Sequence, residues 1–165
     1  MATITLKGDP IKTIGNLPKV GDKALNFTLT AEDLSHKSLA DFANQKLVLN
    51  IFPSLDTGTC AASVREFNKK AGSLENTKVL CISRDLPFAQ ARFCGAEGIE
   101  NVVMLSDFAT GKFGKDYQLE ITDGPLANLH SRVIVVIDEN GNIAYTEQVP
   151  EIVDEPNYEA ALQSI

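Results

Sequence analysis

The sequence predicts an α/β layer fold with a central mixed β-sheet flanked by helices. Three observations carry this. Strand-length apolar runs, "KLVLNIF" (46–52), "TKVLCIS" (77–83) and "VIVVID" (133–138), are almost free of charge, as strands covered on both faces are. Segments with helical spacing of apolar residues alternate with them. A late Asn-Gly turn, "ENGN" (139–142), adds an antiparallel hairpin, so the sheet is mixed.

The elements follow in chain order. "TITLKGDPIKTI" (3–14) alternates, is broken by Gly8-Asp9-Pro10, and reads as an N-terminal β-hairpin. Turn-rich "NLPKVGDKAL" leads to a short strand, "NFTLT", and "SLADFANQ" is a turn or a single helical turn. "KLVLNIF" is a central strand that Pro53 ends. In "TCAASVREFNKKAGSL", Ala61, Val64, Phe67 and Ala71 share a helical face, with Arg65, Glu66, Lys69 and Lys70 elsewhere. "TKVLCIS" is the second buried strand, and "LPFAQARFCGAEG" is a helix starting near Pro87, where proline is tolerated. "NVVMLSD" is strand-like, "ATGKFGKDYQL" weakly helical, and "HSRVIVVID" the third central strand. "IAYTEQV" returns as its hairpin partner, and "EPNYEAALQSI" closes as a helix with Pro156 near its start. No repeat, linker or low-complexity tract interrupts residues 1–165, so one domain is expected.

The chain is 44% apolar and 22% charged, ordinary for a globular protein. Lys and Arg total 15 against 22 Asp and Glu, a net charge of −7 with no basic run. That balance argues against nucleic acid or an anionic membrane as partner. No run is long enough to span a bilayer, and "MATITLKGDPIKTIGNLPKV" has no signal-peptide core. The Asn26-Phe27-Thr28 sequon is then read as chance. A cytoplasmic protein is expected, in which three cysteines do not imply a structural disulfide framework.

The informative stretch is "FPSLDTGTCAASVREF" (52–67), which places Cys60 where a helix begins. A helix N-terminus offers unpaired N–H groups and the positive end of its dipole. Cysteines in that setting have pKa values down to about 3.5–7.5. Thr57, three residues earlier, can cap the helix or donate to sulfur, Gly58 leaves room for a ligand, and Pro53 stiffens and shields the entry. A lone Cys there is as often a small buried apolar residue. The Pro53, Thr57 and Cys60 spacing favours chemistry.

"PSLDTGTC" matches the peroxiredoxin pattern P-x-x-x-T/S-x-x-C. "LNIFPSLDTGTCAASVREFN", "VLCISRDLPFAQARFCGAEG" and "VIVVIDENGN" closely resemble bacterial thiol peroxidases of the Tpx type, the atypical 2-Cys peroxiredoxins. The resemblance covers nearly the whole chain. It implies a thioredoxin-like fold, a peroxidatic Cys60 and a resolving Cys94 joined in an intramolecular disulfide. Pro53, Thr57 and Arg132 match the family's active-site shell. Family members usually form homodimers and are usually reduced by thioredoxin. The implied substrate is hydrogen peroxide or an alkyl hydroperoxide, with no metal or organic cofactor.

The residues suit this chemistry. A thiolate attacks one peroxide oxygen while the other departs as hydroxide or alkoxide, so developing charge needs donors. Among Arg65, Arg84, Arg92 and Arg132, Arg65 lies about 1.4 turns beyond Cys60 and points away from the sulfur. Arg132 opens an apolar strand, either placed there for a reason or reaching out to water. Cys81, inside "KVLCIS", reads as core packing. Cys94 is followed by Gly95 and Gly98, which weaken its helix or cap it. Apolar residues near Pro53 and Leu126 leave room for an alkyl tail.

Other classes fit less well. A thioredoxin-type oxidoreductase needs C-x-x-C, and zinc needs four suitably spaced ligands. A cysteine hydrolase would pair Cys60 with His36 or His130, which fall in expected loops, His130 solvated or hydrogen-bonded there. A peroxide-sensing thiol switch would use the same Cys60 and Cys94 and pass oxidation to a partner protein.

Overall fold

The computed structural model describes residues 2–165. β1 (Thr3–Leu6) and β2 (Asp9–Lys12) form the expected N-terminal hairpin, with Thr3 opposite Lys12 and Leu6 opposite Asp9. The reversal, however, is Lys7-Gly8, with positive φ at both residues (52° and 89°), the turn whose twist suits two strands. Pro10 does not break the strand. It lies inside β2 opposite Thr5, where a two-stranded ribbon offers an edge for a residue without an N–H.

The remaining strands are β3 (Thr28–Ala31), β4 (His36–Ser38), β5 (Lys46–Ile51), β6 (Thr77–Ser83), β7 (Val103–Ser106), β8 (Val133–Ile137) and β9 (Ile143–Gln148). They make one seven-stranded sheet in the order β4-β3-β7-β6-β5-β8-β9. β5, β6 and β7 run parallel, and the pairings β5–β8, β8–β9, β3–β7 and β3–β4 are antiparallel, so the sheet is mixed as expected. His36 is in a strand rather than a loop, paired with Thr30. A 3₁₀ turn at Leu39–Phe42 packs before β5.

Helix α1 (Gly58–Ala71) follows β5, α2 (Pro87–Glu97) follows β6, α3 (Lys112–Asp116) follows β7, and α4 (Tyr158–Gln163) ends the chain. Period-2 alternation divides the sheet into two cores. Leu47, Leu49 and Ile51 of β5 meet Leu80, Ile82, Leu105, Val133 and Val135, with Phe113 and Tyr117 of the α3 region over them. Val48 looks the other way, with Cys81, Met104 and Ile134, onto α1 and α2. The apolar stripe of α1, Ala61, Val64 and Phe67, is fully used there, while Lys69 and Lys70 sit in its last turn, where cations complement the dipole. Phe67 has no exposed surface and takes the edge of Tyr158 at 5.2 Å between centroids. Truncating such a phenylalanine typically costs about 3–5 kcal/mol, so Phe67 is an anchor of α1 in the core it shares with the sheet and α4. Among the described residues, no helix is long and apolar enough to cross a membrane.

Candidate active site

Cys60 is the third residue of α1, after an extended Thr57 (φ −100°, ψ 144°). Its thiol has no solvent-exposed surface. The sheet register brings its main partner. Ile51, at the end of β5, lies opposite Val133, so Arg132 stands beside the point where the chain leaves β5 for the Pro53–Thr57 loop. Arg132 is 2% exposed and does not reach out to water. Its Nη2 donates to Cys60 Sγ at 3.2 Å, its Nε donates to the Ile152 carbonyl at 2.8 Å, and its buried Nη1 has no partner. A guanidinium held this way presents one donor to the sulfur and keeps another unpaired.

The other arginines are engaged elsewhere. Arg65 forks onto Glu97 at 2.7 and 3.2 Å on the surface, as its position one and a half turns on requires. Arg84 donates to the carbonyls of Asn128 and Phe108, and Arg92 lies 3.6 Å from Asp56.

Pro53 is buried at the loop entry. Thr57 performs neither of the tasks its position suggests. Its hydroxyl donates to the Ser54 carbonyl at 3.0 Å, makes no cap bond to α1, and does not touch the sulfur. A turn that closes on itself consumes the donor. Space over Gly58 is open, since an added Cβ would meet nothing within 4 Å.

Several supporting residues escape a reading of the sequence. Asp85 accepts from Ser54 Oγ, the Leu55 amide and Ser83 Oγ at 2.7–2.8 Å, tying the Pro53–Thr57 loop to the end of β6. Thr59 Oγ1 donates to the Val153 carbonyl at 2.7 Å. Under the first turn of α1, Ser63 Oγ donates to the Cys60 carbonyl (2.8 Å) and accepts from Asn50 Nδ2 (3.2 Å). The available signal was Asn50, a lone amide within an apolar strand.

Cys94 lies in α2, in the same core cluster as Cys60, and all three cysteines are unbonded. Burial pushes its thiol up to about 12, and the neighbouring Glu32 carboxylate adds in the same direction. Gly98 closes α2 with a left-handed φ of 65°, and its N–H and that of Ile99 both reach the Cys94 carbonyl. Gly95 sits inside the helix with open space around it. Cys81 is fully buried in β6, with Asn50 Nδ2 at 3.7 Å, and burial pushes it to about 12 as well. His130 is buried rather than solvated, 2.9 Å from Asp107, and neither histidine is hydrogen-bonded to Cys60. Leu126 packs against Ile4, Ile11, Ile121 and Ile152, the cluster beneath the hairpin.

Two open cavities, each about 350 Å³, are lined by residues such as Phe27 and Asp107, or Leu39 and Ile137, and Cys60 lines neither. What sets Cys60 apart is its geometry: a helix-start thiol, a buried guanidinium on it, and a second thiol, Cys94, in the same core cluster.

Comparisons with known proteins point to one family. The Redoxin family model matches residues 19–162. A thiol peroxidase of Mycobacterium bovis is 56% identical over 165 residues, covering 100% of this chain and 99% of that one. Among solved structures, a peroxiredoxin-like protein from Aquifex aeolicus superposes with a TM-score of 0.92 at 37% identity, covering 98% of this chain and 95% of that one. A thiol peroxidase from Chromobacterium violaceum gives 0.90 over 98% of this chain and 93% of that one, and at 23% identity speaks for the thioredoxin-like fold alone. The chain belongs to the redoxin family, as a peroxiredoxin of the thiol peroxidase branch.

Proposed function

We propose that residues 1–165 act as one domain that reduces hydrogen peroxide and organic hydroperoxides through Cys60. The contact of Arg132 Nη2 with Cys60 Sγ at 3.2 Å carries this reading. The Cys60 thiolate attacks one peroxide oxygen, the O–O bond breaks, and the second oxygen leaves as hydroxide or alkoxide that takes up a proton. Arg132 and the first-turn amides of α1 stabilise the charge on sulfur and on the departing oxygen. Pro53 walls the entry, and Thr57 shapes it through its bond to Ser54.

The product at Cys60 is a sulfenic acid, which condenses with a thiol. Cys94 supplies that thiol, giving an intramolecular disulfide and one water. A dithiol, thioredoxin, reduces the disulfide to two thiols and becomes a disulfide itself. The setting is a reducing cytoplasm, and the working unit is a homodimer.

Cys60→Ser is the test. It should abolish peroxide turnover with thioredoxin as reductant and leave the fold intact by circular dichroism. Turnover near the parental rate would remove Cys60 from the reaction. Mass mapping after one equivalent of peroxide should find Cys60 joined to Cys94, with Cys81 free.

A further inference from the structure

We infer that Glu151 is a positioning residue for the Cys60 site, locking the N-terminal hairpin to the segment that holds Arg132. This rests on the roles of Cys60 and Arg132 proposed above. The left-handed turn at Lys7-Gly8 leaves two successive amides pointing outwards, an arrangement that receives anions. Glu151 fills it. Its carboxylate accepts from the Lys7 amide at 2.8 Å, the Gly8 amide at 3.0 Å and Thr5 Oγ1 at 2.5 Å. The backbone continues the attachment, with the Thr5 amide on the Pro150 carbonyl (2.8 Å) and the Ile152 amide on the Thr5 carbonyl (2.9 Å). Ile152 then sinks between Ile4, Ile11 and Ile121 and is 2% exposed.

The consequence lies one atom further along. The carbonyl of Ile152 takes Arg132 Nε, and the carbonyl of Val153 takes Thr59 Oγ1, next to Cys60. Arg132 has no other acceptor than the Ile152 carbonyl and the sulfur itself. Where the 150–153 segment sits therefore decides where the guanidinium sits. The hairpin is the fixed body on one side of that segment, and the reacting sulfur lies on the other.

The experiment is a double-mutant cycle on single-turnover oxidation of Cys60 by hydrogen peroxide, quenched and read by mass across a pH series. Glu151→Ala should slow oxidation by up to about 10²-fold, the scale on which small misplacements act, and move the pH–rate profile upwards. In an Arg132→Ala background the same change should add no further loss, because the two act through one contact. Glu151→Gln keeps the side chain's size and guards against a folding failure; it should lose rate in the same direction. Parental rates in both Glu151 variants would overturn the inference while leaving Arg132 in place. A full loss persisting without Arg132 would overturn it too, showing that Glu151 acts on the fold rather than on the guanidinium. An Arg132→Ala protein with parental rates and pH profile would instead sink the reading of the site on which the inference stands.

Discussion

Arg132 carries two tasks with one side chain. Nε fixes it to a backbone carbonyl, and Nη2 presents charge to the sulfur. A lysine has one nitrogen on a flexible stem and cannot keep both contacts at this spacing. Arg132→Lys should therefore behave much like Arg132→Ala, with Cys60 oxidation slowed by roughly 10²–10³, the usual loss for one transition-state donor. Stopped-flow oxidation of both variants checks this, and a lysine variant near the parental rate would mean that charge alone suffices. At this scale the sequence was legible where a residue type stood out against its surroundings. A guanidinium opening an apolar strand and a thiol opening a helix are such cases. Thr57 was misread because the hydroxyl's choice between α1 and Ser54 depends on loop conformation. Asp85 and Glu151 were illegible because the partners that tie them to the site, Ser54 and Leu55 for Asp85 and Thr5, Lys7 and Gly8 for Glu151, lie 30 or more residues away, and no local spacing reports that.

The elements raise a conflict that the chemistry must resolve. Cys60 lies in the first turn of α1 and Cys94 within α2, yet a disulfide needs Cα atoms within about 7 Å and specific Cβ directions. The disulfide proposed above is therefore expected to need local unwinding, around Thr59–Ala61 and around Phe93–Gly98. Gly95 makes the second region cheap to open, since glycine in a helix interior costs about 1 kcal/mol relative to alanine. Gly95→Ala meets no steric obstacle and should stabilise α2 by about that amount. Disulfide closure should slow about fivefold if the full effect falls on opening, with sulfenate formation unchanged and more over-oxidation at high peroxide. Equal closure rates would mean that α2 need not open. The long, strongly patterned elements, α1, α2 and the core strands, were readable from apolar spacing. β4 was not, because "HKS" is polar and three residues long, and only its pairing with β3 makes it a strand. The hairpin's existence was legible from alternation, while its turn went to Lys7-Gly8 because the register is set by where Ile4 and Ile11 can both point inwards.

Two further expectations belong to the whole molecule. The first concerns the attachment of the hairpin to the body of the fold. Hydrogen bonds from Thr5, Lys7 and Gly8 lower the Glu151 carboxyl from 4.5 to about 2. A carboxyl depressed by folding contributes stability above its unfolded value and loses it as pH falls through the folded one. The contribution is therefore complete above pH 4.5 and fades towards pH 2. The amide proton shifts of Lys7 and Gly8 should titrate with a midpoint near 2, and a midpoint at the ordinary carboxylate value would show that the lock does not hold in solution.

The second concerns what covers the apolar surface beside α2. Leu86 is 51% exposed, Phe88 66% and Phe108 37%, a costly set to leave in water. The segments that carry them are tied together, since Ser106 Oγ donates to the Asp85 carbonyl and Arg84 to that of Phe108. A second copy of the chain is the occupant that the family resemblance implies, and a two-fold interface would bring the same patch to both sides. A stable dimer needs about 1,200–2,000 Å² of buried surface in total, with apolar anchors at its centre, and Phe88 is the most exposed aromatic available. Phe88→Glu places a carboxylate at that centre on each side, so two like charges must be desolvated together. Sedimentation should find the parent at twice the chain mass and Phe88→Glu at the chain mass, with circular dichroism unchanged. Arg132 lies outside this patch, so the variant should still oxidise Cys60, whereas closure would change if the patch also steadies the start of α2. A parent that sediments as a single chain at micromolar concentration would remove the dimer from the proposed function and leave the Cys60 chemistry untouched.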